Sequence, residues 1–150
     1  MKITKELLRE KGACAAGYRD FLKEFPEEKY PDGVEYQDLL DCCAEKNFSY
    51  GSWLLSEFGR TDDVRRVDGD LITKKSIIFA GRLEVSGIIK AGEGIEAGEG
   101  IEAGCGIEAG WEFGIYAGLR VRITSECRKI IAKTKPENIM CGEFVEAENE

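Results

Sequence analysis

The sequence predicts an α+β chain: a small helical domain over residues 1–62, then a short three-coil β-solenoid with a C-terminal strand cap over residues 63–150. Three observations predict it. Apolar residues recur at helical spacing as far as Phe58. From Leu71 to Thr124 the chain then repeats every six residues, nine times over. Beyond Thr124 the strict register lapses, but strand-like pieces continue.

The helical part divides into four. Thr4 can cap a first helix carrying Leu7 and Leu8, and Gly12 ends it. Ala13–Phe25 places Ala15, Tyr18, Phe21, Leu22 and Phe25 on one face, and Pro26 stops it. A turn at Pro31-Asp32-Gly33 follows. Val34–Lys46 supplies Val34, Leu39, Leu40, Cys43 and Ala44 for a third helix. Ser49–Phe58 supplies Tyr50, Trp53, Leu54 and Phe58 for a fourth, ended by Gly59. The Arg60-Thr61-Asp62-Asp63 run is the expected boundary, and the helical domain is placed to cap the first coil.

In the repeat, one apolar series runs Leu71, Ile77, Leu83, Ile89, Ile95, Ile101, Ile107, Phe113, Leu119. A second, two residues later, runs Thr73, Phe79, Val85, Ala91, Ala97, Ala103, Ala109, Ile115, Val121. Six is a multiple of the strand period of two, so both series face one side of extended backbone. It is no multiple of 3.6, so a helix would smear them round its circumference. Gly98 and Gly100 flank Glu99 where the chain can turn a corner. Glu93, Cys105, Trp111 and Ala117 share that corner slot, and a solvent-facing corner tolerates such different sizes where a packed interior does not. Two later strand-like pieces, Lys129–Thr134 and Ile139–Val145, flank a turn at Pro136-Glu137-Asn138.

This aliphatic-then-small pattern resembles the hexapeptide-repeat proteins, which build a triangular left-handed β-helix of three hexads per coil. The resemblance implies 18-residue coils at about 71–88, 89–106 and 107–124, with Lys90 over Glu108 and Glu102 over Arg120. The run VSGIIKAGEGIEAGEGIEAG also resembles the bactofilin-like polymers, which are right-handed solenoids. The left-handed type is favoured and the right-handed type is the alternative. GACAAGYRDFLKEFP with SYGSWLLSEFG is similar to a helical leader of small phage and mobile-element proteins.

Net charge is −8, which argues against direct nucleic-acid binding. The sequence shows no apolar run long enough to span a bilayer and no apolar signal segment. The six cysteines, with no C-x-x-C pair, are therefore expected to stay reduced in the cytoplasm. No cofactor or metal motif stands out: the glycines recur with the repeat and lack a phosphate-loop lysine, and no calcium-loop pattern accompanies the glutamates.

No histidine is present, so the acyltransferase chemistry of hexapeptide-repeat proteins lacks its central base, and no catalytic residue is assigned. The expectation is a non-enzymatic interaction or self-assembly module that binds a protein partner or itself, with an oligomer possible. The interaction candidates are Glu93, Glu96, Glu99, Glu102, Glu108 and Glu112, with Trp111 in a corner slot and Tyr116 pointing outward. Phe113 and Ile115 are expected in the core. The alternative, which rests on the acidic series and the phage-like leader, is an anti-CRISPR-like inhibitor that imitates duplex phosphates and captures a basic nucleic-acid-binding protein.

Overall fold

The computed structural model describes residues 1–110, 114–118 and 129–147. It begins with a strand that the sequence reading passed over. β1 (Lys2–Ile3) pairs antiparallel with β2 (Val34–Glu35), so Val34 and Glu35 are extended and do not open the third helix. Ile3, with no exposed surface, makes this pairing a core contact.

α1 (Lys5–Glu10) is capped by Thr4, whose Oγ1 accepts the Leu7 N–H at 3.1 Å. α2 (Ala15–Glu24) follows, with the Cys14 sulfur accepting the Gly17 N–H at 3.3 Å. α3 (Tyr36–Lys46) ends on Asn47 in the left-handed region, and α4 (Gly51–Phe58) ends on Gly59 at φ +80°. The apolar residues of the third and fourth helices meet as expected: Leu39, Leu40, Cys43, Ala44 and Leu54 are buried, with Phe21 of α2 and Tyr36. The Tyr36 hydroxyl reaches the Gly59 and Leu54 carbonyl oxygens at 2.9 and 3.2 Å, and burial raises its ionisation above the ordinary tyrosine range.

The rest is a β-solenoid of about four turns, stacked in parallel on three faces. One face carries β3 (Val64–Val67), β6 (Arg82–Val85), β9 (Ile101–Ala103), β12 (Lys129–Ala132) and β14 (Glu143–Glu146). A second carries β4 (Leu71–Thr73), β7 (Ile89–Ala91) and β10 (Ile107–Glu108). The third carries β5 (Ile77–Phe79), β8 (Ile95–Ala97), β11 (Ile115–Ala117) and β13 (Ile139–Cys141).

The 18-residue coil holds through the first three strands of the first face and throughout the second, where Glu108 lies against Lys90. The ladder starts before Leu71: Val64 pairs with Arg82, and Arg65 takes the inward place above Leu83. Side chains from successive coils therefore stack in rows about 4.8 Å apart. Ile89, Ile95, Ile101, Ile115 and Ile130 are all fully buried in these rows.

Three expectations are corrected beyond Gly110. Ile115 lies against Ile95 and Ala117 against Ala97, so this coil carries two extra residues. Ile115 thus takes the place expected for Phe113, and Ala117 is buried in the core, not placed at a corner. Glu102 has Ile131 as its neighbour in the next turn, where Arg120 was expected. The C-terminal strands also do more than cap. β12 stacks on β9, β14 on β12 and β13 on β11, all in parallel, so they extend three coils to about four turns. Trp111, Glu112, Phe113, Leu119, Arg120, Val121, Thr124 and Cys127 lie outside the described residues.

Candidate functional site

The glutamates expected to form one acidic series are spread around the solenoid. An 18-residue coil of three hexads sends successive glutamates to successive faces. Glu102 is on the first face, where Arg82 contacts both it and Glu84 at 3.2 Å and Arg66 contacts Glu84 at 2.9 Å. Glu108 is exposed on the second face next to Lys90. Glu96 is on the third. Glu93 and Glu99 occupy half-buried corners; Glu93 accepts the Ser76 hydroxyl at 3.3 Å, and Glu99 is 3.9 Å from Arg60. The arrangement alternates sign and is not a continuous carboxylate line. Exposed pairs of this kind contribute about 0–1 kcal/mol each.

Glu96 and Tyr116 do come together. They are ladder partners on the third face and line a cleft of about 250 Å³ against the start of α4. Ser52 of α4 donates its hydroxyl to Glu96 Oε1 at 2.8 Å, whereas Oε2 is buried without a hydrogen-bond partner among the described residues. Burial raises the Glu96 pKa above the ordinary carboxylate value, and the Ser52 hydrogen bond opposes that rise. The first turn of α4 has no acidic residue, so Glu96 supplies negative charge near the positive end of that helix. The predicted outward position of Tyr116 is observed, but the ring is half-buried in this cleft.

The helical domain covers the first coil at one edge only. β5 ends its sheet, and the backbone of Ile78 and Ala80 turns away from β8. Gln37 of α3 meets both: its Nε2 donates to the Ile78 carbonyl at 2.8 Å, and its Oε1 accepts the Ala80 N–H at 3.1 Å. One side-chain amide thus stands in for a missing strand. The outward Ile78 side chain is buried among the helices. Arg65 closes part of the core end. Its guanidinium lies 4.7 Å from the centre of the Phe79 ring and 3.7 Å from Asp41. Residues 1–62 are similar to the YdhT N-terminal domain. No curated protein and no solved structure matches the chain.

Among the described residues the other terminal strands have no further strand beside them: β3 and β4 finish their sheets at one end, and β10, β13 and β14 at the other. Val64, Ile72 and Met140, on β3, β4 and β13, are 38%, 61% and 67% exposed. They account for three of the five large apolar side chains most exposed among the described residues. The core rows end in half-buried Val67 and Leu71 at the first end and in Ile139 and Phe144 at the second.

Sequence reasoning missed Gln37, Ser52 and Arg65. Arg65 had a signal, since running the 18-residue period back from Leu83 lands on it. Gln37 and Ser52 act through contacts with residues 41 and 44 positions away, and no local pattern marks them. Among the described residues no group of three His, Cys, Asp or Glu is placed to hold a metal ion, and the five described cysteines are free thiols. No helix is long and apolar enough to cross a membrane among the described residues.

Proposed function

We propose that this protein works by contact, as a non-enzymatic interaction and self-assembly module whose docking elements are the open ends of the solenoid. The observation that carries this reading is the exposure of Val64, Ile72 and Met140 on strands that finish their sheets. Such edges pair with other chains unless something covers them. β3 and β14 are the two terminal strands of one parallel sheet, so β14 of one copy can add to β3 of the next in the same sense as the internal ladder. This topology favours a head-to-tail contact between copies, a heterologous geometry that propagates instead of closing. The inhibitor alternative needs a continuous carboxylate line, so glutamates spread over three faces, with Glu99 and Glu102 beside arginines, lend it little support.

The test is light scattering over a concentration series, at low and high salt. Ala147 donates its N–H to Ala132, so the alternate N–H of Glu146 points away from β12 and toward the open edge. Glu146→Pro removes that edge donor and spares the internal ladder. The wild type grows in mass with concentration, and Glu146→Pro grows less. A wild type that stays monomeric throughout contradicts the proposal.

A further inference from the structure

A second candidate site lies inside the helical domain, and the solenoid plays no part in it. A cavity of about 280 Å³ is walled by Phe21, Phe48, Tyr50, Trp53 and Leu54, among other apolar groups. Its volume is near the lower end of the range for small-molecule sites. α2 forms one wall. Gly17, Asp20, Phe21 and Glu24 follow helical spacing and share one face of α2. Gly17 keeps that wall thin: a Cβ there would meet the Tyr50 ring at 3.3 Å and the Cys14 sulfur at 3.4 Å.

The charge at this cavity is one-sided. Asp20 and Glu24 line it, both half-buried, and none of its described lining residues is a lysine or arginine. The Tyr50 hydroxyl donates to Asp20 Oδ2 at 2.9 Å, which fixes that carboxylate at the wall. Neither acid has a cation within ion-pair distance among the described residues. Two carboxylates one helical turn apart repel each other, and this repulsion would be relieved by a positive charge from outside the chain. The apolar walls require that the rest of such a ligand be hydrocarbon.

We propose that the cavity binds a compact apolar amine, with the hydrocarbon among Phe21, Phe48, Trp53 and Leu54 and the ammonium against Asp20 and Glu24. The aromatic walls suit this occupant further, because a cation is attracted to the faces of aromatic rings.

The test uses the full chain carrying Trp111→Phe, so that Trp53 is its only tryptophan and reports on the cavity wall. Hexylamine, hexanol and hexanoate are titrated while Trp53 emission is followed. The amine binds tightest, by about tenfold over hexanoate, with hexanol between them. In Asp20→Asn/Glu24→Gln the amine falls to the level of hexanol while hexanol itself is unchanged, which shows that the cavity is intact. Equal binding of all three probes overturns the proposal. So does amine binding undiminished in the double variant, or a Trp53 signal that none of the probes moves.

Discussion

In the solenoid the large aliphatic side chains of the first inward series rest on near-copies of themselves: Ile101 on Leu83 and under Ile130, Ile95 between Ile77 and Ile115. In the helical domain the core joins unlike shapes, with Phe21 beside Phe25, Tyr36 beside Phe58 and Trp53 edge-on to Phe58. Repetition lets every coil reuse one packing solution, so the interior fills evenly. Mixed aromatics on short helices leave room, and the 280 Å³ cavity is in that half. The two halves differ at their margins as well. The helical core is bounded by its helices, the β1–β2 pair and Ile78 and Ala80 of the solenoid, whereas a stack has ends, and Gln37 of the helical domain closes the edge of β5.

The contrast is broken most sharply by large-to-small substitution. Ile101→Ala removes a fully buried side chain from the middle of a row and costs about 3–5 kcal/mol in urea unfolding. Leu54→Ala, beside an existing cavity, costs about 2–3 kcal/mol because fewer contacts are lost there. Equal losses would contradict the difference in packing.

Within the solenoid, the glycines of Gly104-Cys105-Gly106 sharpen the same point. A Cβ on Gly104 would collide with the carbonyl oxygen of Ser86 in the preceding coil, whereas one on Gly106 meets nothing within 4 Å. Gly104→Ala is expected to cost about 1–3 kcal/mol and Gly106→Ala less than about 0.5 kcal/mol, read by thermal unfolding. Glycine is needed at Gly104 for close approach between coils, since its φ is not positive.

The smallest effect concerns the join between the halves. Burial raises the Glu96 pKa, so the folded chain holds this proton at pH values where the unfolded chain has lost it. Its contribution is fully present below the unfolded value and is lost as pH rises through the folded one. Glu96→Gln matches the protonated form, so its Tm equals that of the wild type near pH 4. By pH 7 it is higher by about 2 °C, the scale of less than 1 kcal/mol for a chain of this length. A difference of the opposite sign at pH 7 would show that the charged form is the better fit.

Much of the fold was legible because period is a strong signal. Six-residue spacing gave the inward rows, and the 18-residue coil placed Glu108 against Lys90. The same period, applied to the glutamates, already sends Glu96, Glu102 and Glu108 to three different faces. The two-residue shift at Ile115 was also present in the letters. Gly114-Ile115-Tyr116-Ala117-Gly118 repeats Gly94-Ile95-Glu96-Ala97-Gly98 at a spacing of twenty, but the intervening Phe113 fits an unbroken hexad count equally well. Ile130 over Ile101 and Phe144 over Ile130 were illegible, because spacings of 29 and 14 belong to no repeat. Most of the helical faces were read from spacing, but Val34 belongs to β2 and Ala15 is exposed. The cavity was not, since a void depends on how side chains from separate helices fail to meet. Gln37 illustrates the same limit, as its role exists only once β5 lies beside α3.

The measurement that tests the account most directly is amide hydrogen exchange, resolved by residue and repeated over a range of protein concentration. Ala80, whose N–H is held by Gln37, should exchange slowly at every concentration. Arg66 and Ile72, on strands that finish their sheets, should exchange quickly when dilute and slowly when concentrated, as a second copy covers their edges. Fast exchange at Arg66 and Ile72 at all concentrations would contradict the claim that the open ends of the solenoid join copies of this chain.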